Sequence, residues 1–199
     1  MKYKKCKVCN NDITKVNKKH NLVKCNSCSL VFCETIFREK EFISVYNDLI
    51  NSPQYATHSI KEYYNLLEGK IEIGHNRKRI IDYILEHLQD LKLFLKLPTK
   101  NLSIGGNLIF SLPNYNKKLN FNEKNDEIYQ SGPPIHLNYF TKKSIKKILT
   151  TYNFQIDFVK EKRFPYLDFK NKKLFSQILK SFFGLYHGST LYVNAKYKG

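Results

Sequence analysis

Hydrophobic and polar positions follow several different rhythms along this chain. Leu22-Val23-Lys24 and Leu30-Val31-Phe32 are short strand-like runs near the start, whereas residues 34–95 space their apolar positions as helices do. Phe37, Phe42, Val45, Tyr46, Leu49 and Ile50 form one such set, and Tyr63, Tyr64, Leu66 and Leu67 another after a break at Pro53. Ile80, Ile81, Ile84, Leu85 and Leu88 then make a stripe opposite Arg77, Lys78, Asp82 and Glu86, which predicts one helix or two over residues 77–95, ended by Pro98. After a turn at Gly105-Gly106, the apolar run 107–113 has the length of a buried strand. Residues 117–130 are polar and aperiodic and predict a loop. A helix follows, capped by Thr141, with Ile145, Ile148, Leu149 and Tyr152 on its apolar face and Asn153 as a left-handed terminator. Strand-like alternation at 154–159, helical spacing at 174–183 and a final strand at 190–197 complete the series. The chain therefore closes as strand, helix, strand, helix, strand.

Composition narrows the class. With 199 residues the chain suits one domain with an appendage, and 42% hydrophobic residues with 14 Tyr and 14 Phe provide a core. Apolar runs are far shorter than the ~20 residues of a membrane span, and the basic start lacks a signal-peptide hydrophobic region, so the cytoplasm is the expected location and no membrane partner is expected. The net charge of +17 points toward acidic partners, but only four of the 34 basic residues are Arg (Arg38, Arg77, Arg79, Arg163). Lysine gives diffuse attraction, whereas arginine supplies the planar fork that reads guanine and phosphate, so a nucleic-acid role is disfavoured.

Four of five cysteines fall as Cys6-x-x-Cys9 and Cys25-x-x-Cys28, fifteen residues apart. Each pair lets two thiolates from one tight turn reach a common ion, and two such turns complete a tetrahedron. Two disulfides are the competing reading, which a cytoplasmic location disfavours. Cys6, Cys9, Cys25 and Cys28 are therefore the expected ligands of a structural zinc ion in a small β-ribbon, a zinc ribbon over residues 1–33. Cys33 continues an apolar run and reads as a packed small hydrophobe, and His20 as a loop residue.

Several segments, read in order, are familiar. Leu22-Val23-Lys24-Cys25-Asn26-Ser27-Cys28 looks like a cysteine knuckle, Leu85-Glu86-His87-Leu88-Gln89-Asp90 like a glutamate-histidine-leucine-x-aspartate segment, Gly105 to Asn114 like a glycine-glycine turn with a strand ending in proline-asparagine, and Pro133-Pro134-Ile135-His136 like a proline-proline-x-histidine loop before a capped helix. Together they resemble a family of S-adenosylmethionine-dependent class I methyltransferases that carry an N-terminal zinc ribbon and include sugar methyltransferases. The resemblance implies an α/β, Rossmann-like fold, S-adenosylmethionine as cofactor and a sugar-like small-molecule acceptor. It also implies catalytic roles for His136, His87 and Glu86 at the acceptor mouth, with Asn114 and Tyr139 as acceptor contacts. A histidine titrating near pH 7 suits removal of a proton from a hydroxyl or a carbon acid. Read from the residues alone, Glu86-His87 is better taken as a solvated helix face beside the Ile84-Leu85-Leu88 stripe, and His136 is equally a loop histidine positioned by Pro133-Pro134.

The chain departs from that family at one place. Nucleotide-binding folds of this kind hold their ligand at a glycine-rich turn after the first strand, and no G-x-G-x-x-G occurs here; the nearest imitation is Gly74-His75-Asn76. Residues 77–84 resemble the helix before the family's first strand, yet Leu85-Glu86-His87 resembles residues after its fourth. The junction near Ile84-Leu85 thus implies loss of roughly 60–90 residues, given βαβ units of about 30 or more. The expected organisation is a zinc ribbon at 1–33, a helical linker at 34–84 and a partial methyltransferase-like α/β domain at 85–199. The surviving fifth strand is expected to have an unpaired edge, with apolar faces uncovered. Such a chain would be inactive or impaired alone, or would need a complementing subunit. The alternative is a zinc-ribbon module that binds nucleic acid or an acidic protein.

Overall fold

A computed structural model describes residues 1–38, 41, 79–82, 85–118, 132–161, 163–165, 167, 169 and 172–199. The helices expected between residues 42 and 78, the Gly74 loop and most of the loop at 117–130 lie outside the described residues.

Two four-stranded sheets form the frame. The first has the order β1-β2-β3-β6, with β1 Ile13–Asn17, β2 Leu22–Cys25, β3 Val31–Cys33 and β6 Asn138–Tyr139, all antiparallel. The second has the order β4-β5-β8-β7, with β4 Arg79–Asp82, β5 Asn107–Pro113, β7 Phe154–Glu161 and β8 Thr190–Tyr197. Strand β5 pairs in parallel with β4 and antiparallel with β8, and β8 pairs antiparallel with β7. Strands β4, β5 and β7 therefore run the same way, and their carboxyl ends lie along one edge. Helices α1 Leu91–Asn101, α2 Tyr115–Lys118, α3 Lys142–Thr151 and α4 Leu174–Phe182 accompany the strands among the described residues.

The expected closing order of strands and helices is observed. Thr141 accepts from the Ser144 amide while Ser144 Oγ accepts from the Thr141 amide, a reciprocal capping box on α3. Asn153 ends that helix at φ +61°, and Ile145, Ile148 and Leu149 are fully buried. Gly105 opens β5 at φ +84°, a conformation open to glycine at little cost.

Three expectations are corrected. Residues 79–82 are strand, not part of a helix over 77–95 or of a wholly helical linker over 34–84. The Ile80-Ile81 pair satisfies a helical stripe and a buried strand equally, and pairing with Ile109 and Phe110 of β5 decides it. As a result β5 is paired on both sides, and among the described residues the edges of this sheet are β4 and β7. Pro98 does not end the helix that precedes β5; α1 runs on to Asn101, although the proline removes one backbone bond to the carbonyl four residues earlier. The helix starts from Asp90, whose carboxylate accepts the Leu93 amide at 2.9 Å.

One buried cluster joins the cysteine-bearing segment to the α/β segment. Cys6, Val8, Cys25, Cys28 and Phe32 share it with Leu88, Phe94, Phe110, Ile148 and Val193. Residues 138–140 stitch the two sheets together: Phe32 pairs with Asn138 in β6, and the Phe140 carbonyl accepts the Tyr115 amide just past β5. Glu34 fastens the outside of the first sheet, accepting from Lys2 Nζ at 2.9 Å and Lys15 Nζ at 2.6 Å, and these two lysines hold its carboxyl below the usual range. A depressed carboxyl contributes stability that is complete above its unfolded pKa, near 4.3, and is lost as pH falls through the lower folded value. Unfolding midpoints measured from pH 6 to pH 2 should therefore fall less steeply in Glu34→Gln than in the wild type; parallel curves would exclude this contribution.

Uncovered apolar surface is present, but on α4 and its flanks. Phe175 is 80% exposed and Phe182 74%, with Phe169, Phe183 and Leu185 also exposed. Patches of this kind favour association. Phe175→Ser combined with Phe182→Ser should reduce binding of a hydrophobic dye and shift sedimentation toward the monomer, whereas unchanged association would place the sticky surface elsewhere.

Candidate functional site

Two groups of chemistry-bearing residues stand out, and short turns build both. In the first, the turns at Cys6-x-x-Cys9 and Cys25-x-x-Cys28 repeat one pattern of hydrogen bonds. Asn10 N donates to Cys6 O and Ser29 N to Cys25 O; Cys6 N donates to Asn11 O and Cys25 N to Leu30 O. Asn10 and Ser29 both take positive φ, which swings the chain away after the second cysteine of each turn. The four sulfurs converge within 4.8 Å of one another. Cys6 and Cys28 sulfurs lie 3.7 Å apart and Cys9 and Cys25 sulfurs 3.5 Å apart. All four cysteines are free thiols, and a tetrahedral ion with bonds of ~2.3 Å places its sulfurs ~3.8 Å apart. The donor set therefore fits a metal ion and could hold zinc. The Cys6–Cys28 contact holds the Cys6 thiol below its usual range and pushes Cys28 above it, and the thiolate is the form that binds a metal.

The first cysteine turn is docked directly on the second group. Lys7 Nζ donates to the Leu88 and Gln89 carbonyls, both at 3.2 Å, and lies 5.5 Å over the Phe32 ring and 5.6 Å over the Tyr3 ring. Burial pushes its ammonium down to about 7. Tyr3 Oη donates to the Gln89 carbonyl at 3.1 Å. The four-sulfur cluster is therefore continuous with the turn that follows β4.

That turn carries Glu86 and His87. Asn138 Nδ2 donates to the Leu85 and Leu88 carbonyls, both at 2.7 Å, and the Leu137 and Asn138 amides both donate to the Glu86 carbonyl. The clamp brings the loop bearing His136 against it: the His87 and His136 rings are 4.8 Å apart, edge to face. His87 Nδ1 lies 2.9 Å from the Ile135 carbonyl, and His87 Nε2 lies 3.8 Å from Glu86 Oε1. Glu86 is only 1% exposed, so the alternative of a solvated helix face is corrected; the residue sits in a buried turn. Burial holds the His87 imidazole down at about 4, so it is neutral at pH 7. Glu86, His87 and His136 offer ligand or proton-accepting atoms within 4.8 Å of one another.

All three stand beyond the carboxyl end of the parallel β4–β5 pair, the edge at which open α/β sheets place their ligands. The same edge holds a cluster that sequence reasoning missed. Glu161, at the end of β7, accepts from Asn114 Nδ2 and from Lys142 Nζ at 2.7 Å, and His187 Nδ1 lies 3.3 Å away. Asn114 is 47 residues and His187 26 residues from Glu161 along the chain, and no local motif announces them. Asn114 also donates to the Gly188 carbonyl, and Tyr139 Oη donates to the His136 carbonyl. These two side chains thus position the edge from within.

S-adenosylmethionine has no matching cradle in the described residues. Gly105-Gly106 precedes β5 and so lies at the opposite edge from Glu86, His87 and His136. Among the described residues no glycine-rich turn follows a strand at the edge they occupy. No helix of the described residues is long and apolar enough to cross a membrane.

No family model matches the chain, and no curated protein matches it. Among solved structures, the chain is similar to an S-adenosylmethionine dependent methyltransferase from Mesorhizobium loti, at 13% identity and a TM-score of 0.40, over 62% of this chain and 65% of that one. It is also similar to a protein from Listeria monocytogenes provisionally assigned as an S-adenosylmethionine dependent methyltransferase, at 14% identity and a TM-score of 0.41, over 65% of each chain. The chain thus spans about 65% of the length of these structures.

Proposed function

We propose that this chain is the acceptor-binding part of an S-adenosylmethionine-dependent methyltransferase-type fold, stiffened by a zinc ribbon, and that it does not transfer a methyl group on its own. The observation that carries the reading is the meeting of residues 85–90 and 133–141 at the carboxyl edge of β4 and β5, where Glu86, His87 and His136 converge. A buried carboxylate beside two imidazoles suits removal of a proton from a sugar-like hydroxyl or a carbon acid. His136, a half-buried ring on the opposing loop, would take that proton, while Glu86 stabilises the imidazolium that forms. His87, fixed by the Ile135 carbonyl, orients the His136 ring.

S-adenosylmethionine supplies the methyl group in methyltransferases, but the described residues do not fit it. A complementing subunit would have to bring the cofactor-binding turn. Cys6, Cys9, Cys25 and Cys28 would hold zinc; four thiolates fill its coordination, so the ion contributes folding energy and leaves no position open for substrate.

Thermal unfolding of the zinc-loaded chain tests both halves of this reading. A ligand at 100 times its Kd stabilises by about 2.7 kcal/mol, roughly 5–10 °C in Tm for a chain of this size. No shift is expected with S-adenosylmethionine, and a shift of that size would show that the chain rebuilds a cofactor site. Sugar-type acceptors are expected to raise Tm in the wild type and not in His136→Ala. Equal shifts in both chains, or none with any acceptor, would overturn the acceptor assignment.

A further inference from the structure

We infer that the segment joining β7 to β8, with α4 at its centre, is a docking surface for an anionic lipid bilayer, on which the chain rests without crossing it. The inference stands apart from the acceptor reading. It revises the expectation of no membrane partner, because the length of apolar runs decides whether a chain crosses a bilayer and not whether it lies on one.

The segment is built to face outward. Its ends are pinned together, since Glu161 at the end of β7 and His187 just before β8 lie 3.3 Å apart, so the residues between them leave the sheet and return to it at one place. Pro165 and Leu174 are buried and hold it to the body. Phe175, Leu179 and Phe182, at helical spacing along one stripe of α4, are exposed instead. Gly184 at φ +67° turns the chain after the helix, and the Leu185 amide donates to the Lys180 carbonyl at 2.7 Å, which keeps the exposed Phe183 and Leu185 at the helix end. From the other flank, the half-exposed Phe164 meets Phe182 edge to face with ring centres 6.0 Å apart. Eight of the thirteen large apolar side chains that the described residues expose lie between 164 and 185, so this is one face and not the usual scatter of surface hydrophobics.

Charge around this face selects its occupant. Residues 160–180 carry seven basic side chains and two acidic ones, and one of the two acids, Glu161, is engaged by Lys142 and His187. Lys172 and Lys180 are exposed just before α4 and within it. Six of the seven basic residues are lysine, a point charge without the planar fork that reads bases, and a mobile layer of lipid phosphates asks for no more than that. A second copy would bring the same positive rim against this one, so the association that the exposed phenylalanines favour in water works against like charge. An anionic bilayer takes the rings into its acyl boundary and sets counter-charge against the lysines, the arrangement of amphipathic helices that lie in a membrane interface. At nine residues α4 is about 14 Å long, less than half of a hydrocarbon core of ~30 Å, so it lies in the plane of the surface.

Flotation of the full-length, zinc-loaded chain tests this, with vesicles of phosphatidylcholine alone and of phosphatidylcholine mixed equally with phosphatidylglycerol, at ~0.1 M salt. The chain is expected to float with the anionic vesicles, to bind the neutral ones far less, and to come off as salt rises. Phe175→Ser combined with Phe182→Ser should weaken binding at least ~10-fold, since both rings lose their burial in the acyl boundary. Lys172→Gln combined with Lys180→Gln should weaken it about 25-fold, at roughly fivefold for each lysine near the surface. If either variant fails to melt cooperatively, a nitroxide-bearing lipid decides the matter in the wild type: it should broaden the Phe175 and Phe182 ring protons, and rings left sharp would overturn the face. Binding of wild-type strength by the phenylalanine variant would mean that net charge alone holds the chain on lipid, which also overturns it. So would failure to bind anionic vesicles, or a stable dimer made through this face that leaves the vesicles untouched. None of these readouts uses an acceptor or S-adenosylmethionine, so failure of the docking surface and failure of the acceptor reading are separable.

Discussion

Removing zinc with a chelator, or replacing Cys25 by serine, is expected to abolish cooperative unfolding of the whole chain and not of its first 33 residues alone. Structural zinc bound by thiolates contributes on the order of 10 kcal/mol, which is comparable with the entire stability of a typical domain, about 5–15 kcal/mol. The loss cannot remain local, because Cys6, Cys25 and Cys28 are buried in the same cluster as Leu88, Phe94 and Ile148. Once the two cysteine turns open, Lys7 also loses the geometry that places its ammonium on the Leu88 and Gln89 carbonyls. Circular dichroism melts with and without chelator check this, together with amide exchange on α3. A chelated chain that melts with unchanged midpoint and steepness would show that the sulfurs pack without an ion. Cys33→Ser is the internal control: Cys33 is buried but stands outside the four-sulfur group, so its replacement should leave zinc content at one ion in the thiolate centre.

The cysteine turns were legible in the sequence because their chemistry is written in spacing: two residues between ligands set the turn, and the turn sets the sulfurs. The same holds for α3, where Thr141, the apolar positions 145, 148 and 149, and Asn153 are local signals that agree with one another. Strand β4 was not legible, because a four-residue segment around Ile80-Ile81 has too few positions for its period to be read, and only β5 decides its form. The burial of Glu86 was hidden for a related reason. Its polar character suggests solvent, but Leu137 and Asn138, about fifty residues away, supply the amides that hold its turn inside. The cluster of Asn114, Lys142 and His187 around Glu161 likewise depends on three strand ends meeting at one edge. Chemistry carried within a turn can be read from sequence, whereas chemistry assembled by sheet order needs the fold.

Asn138→Ala carries the other large expected effect, because one side chain holds together the elements that make the candidate site. Asn138 is 2% exposed and spends both amide hydrogens, one on the Leu85 carbonyl and one on the Leu88 carbonyl. Truncation strands the Leu85 carbonyl, and a buried polar group left unmet costs about 1–3 kcal/mol. The Leu88 carbonyl loses less, since Lys7 Nζ still donates to it at 3.2 Å. The expected destabilisation is therefore about 2–4 kcal/mol, below the sum for two orphaned carbonyls. It should appear as a lower denaturant midpoint with an unchanged slope, because the unfolded surface is the same. The effect also has a direction along the chain: residues 85–88 relax first, so amide protection at 137 and 138 should fall further than at 191–195 in β8, whose pairing with β5 and β7 does not involve this side chain. With the turn loosened, His87 moves away from the Ile135 carbonyl and the packing of its ring on His136 loosens with it. A loss below about 0.5 kcal/mol, the usual range for a surface change, would mean that the backbone bonds to the Glu86 carbonyl hold the turn unaided.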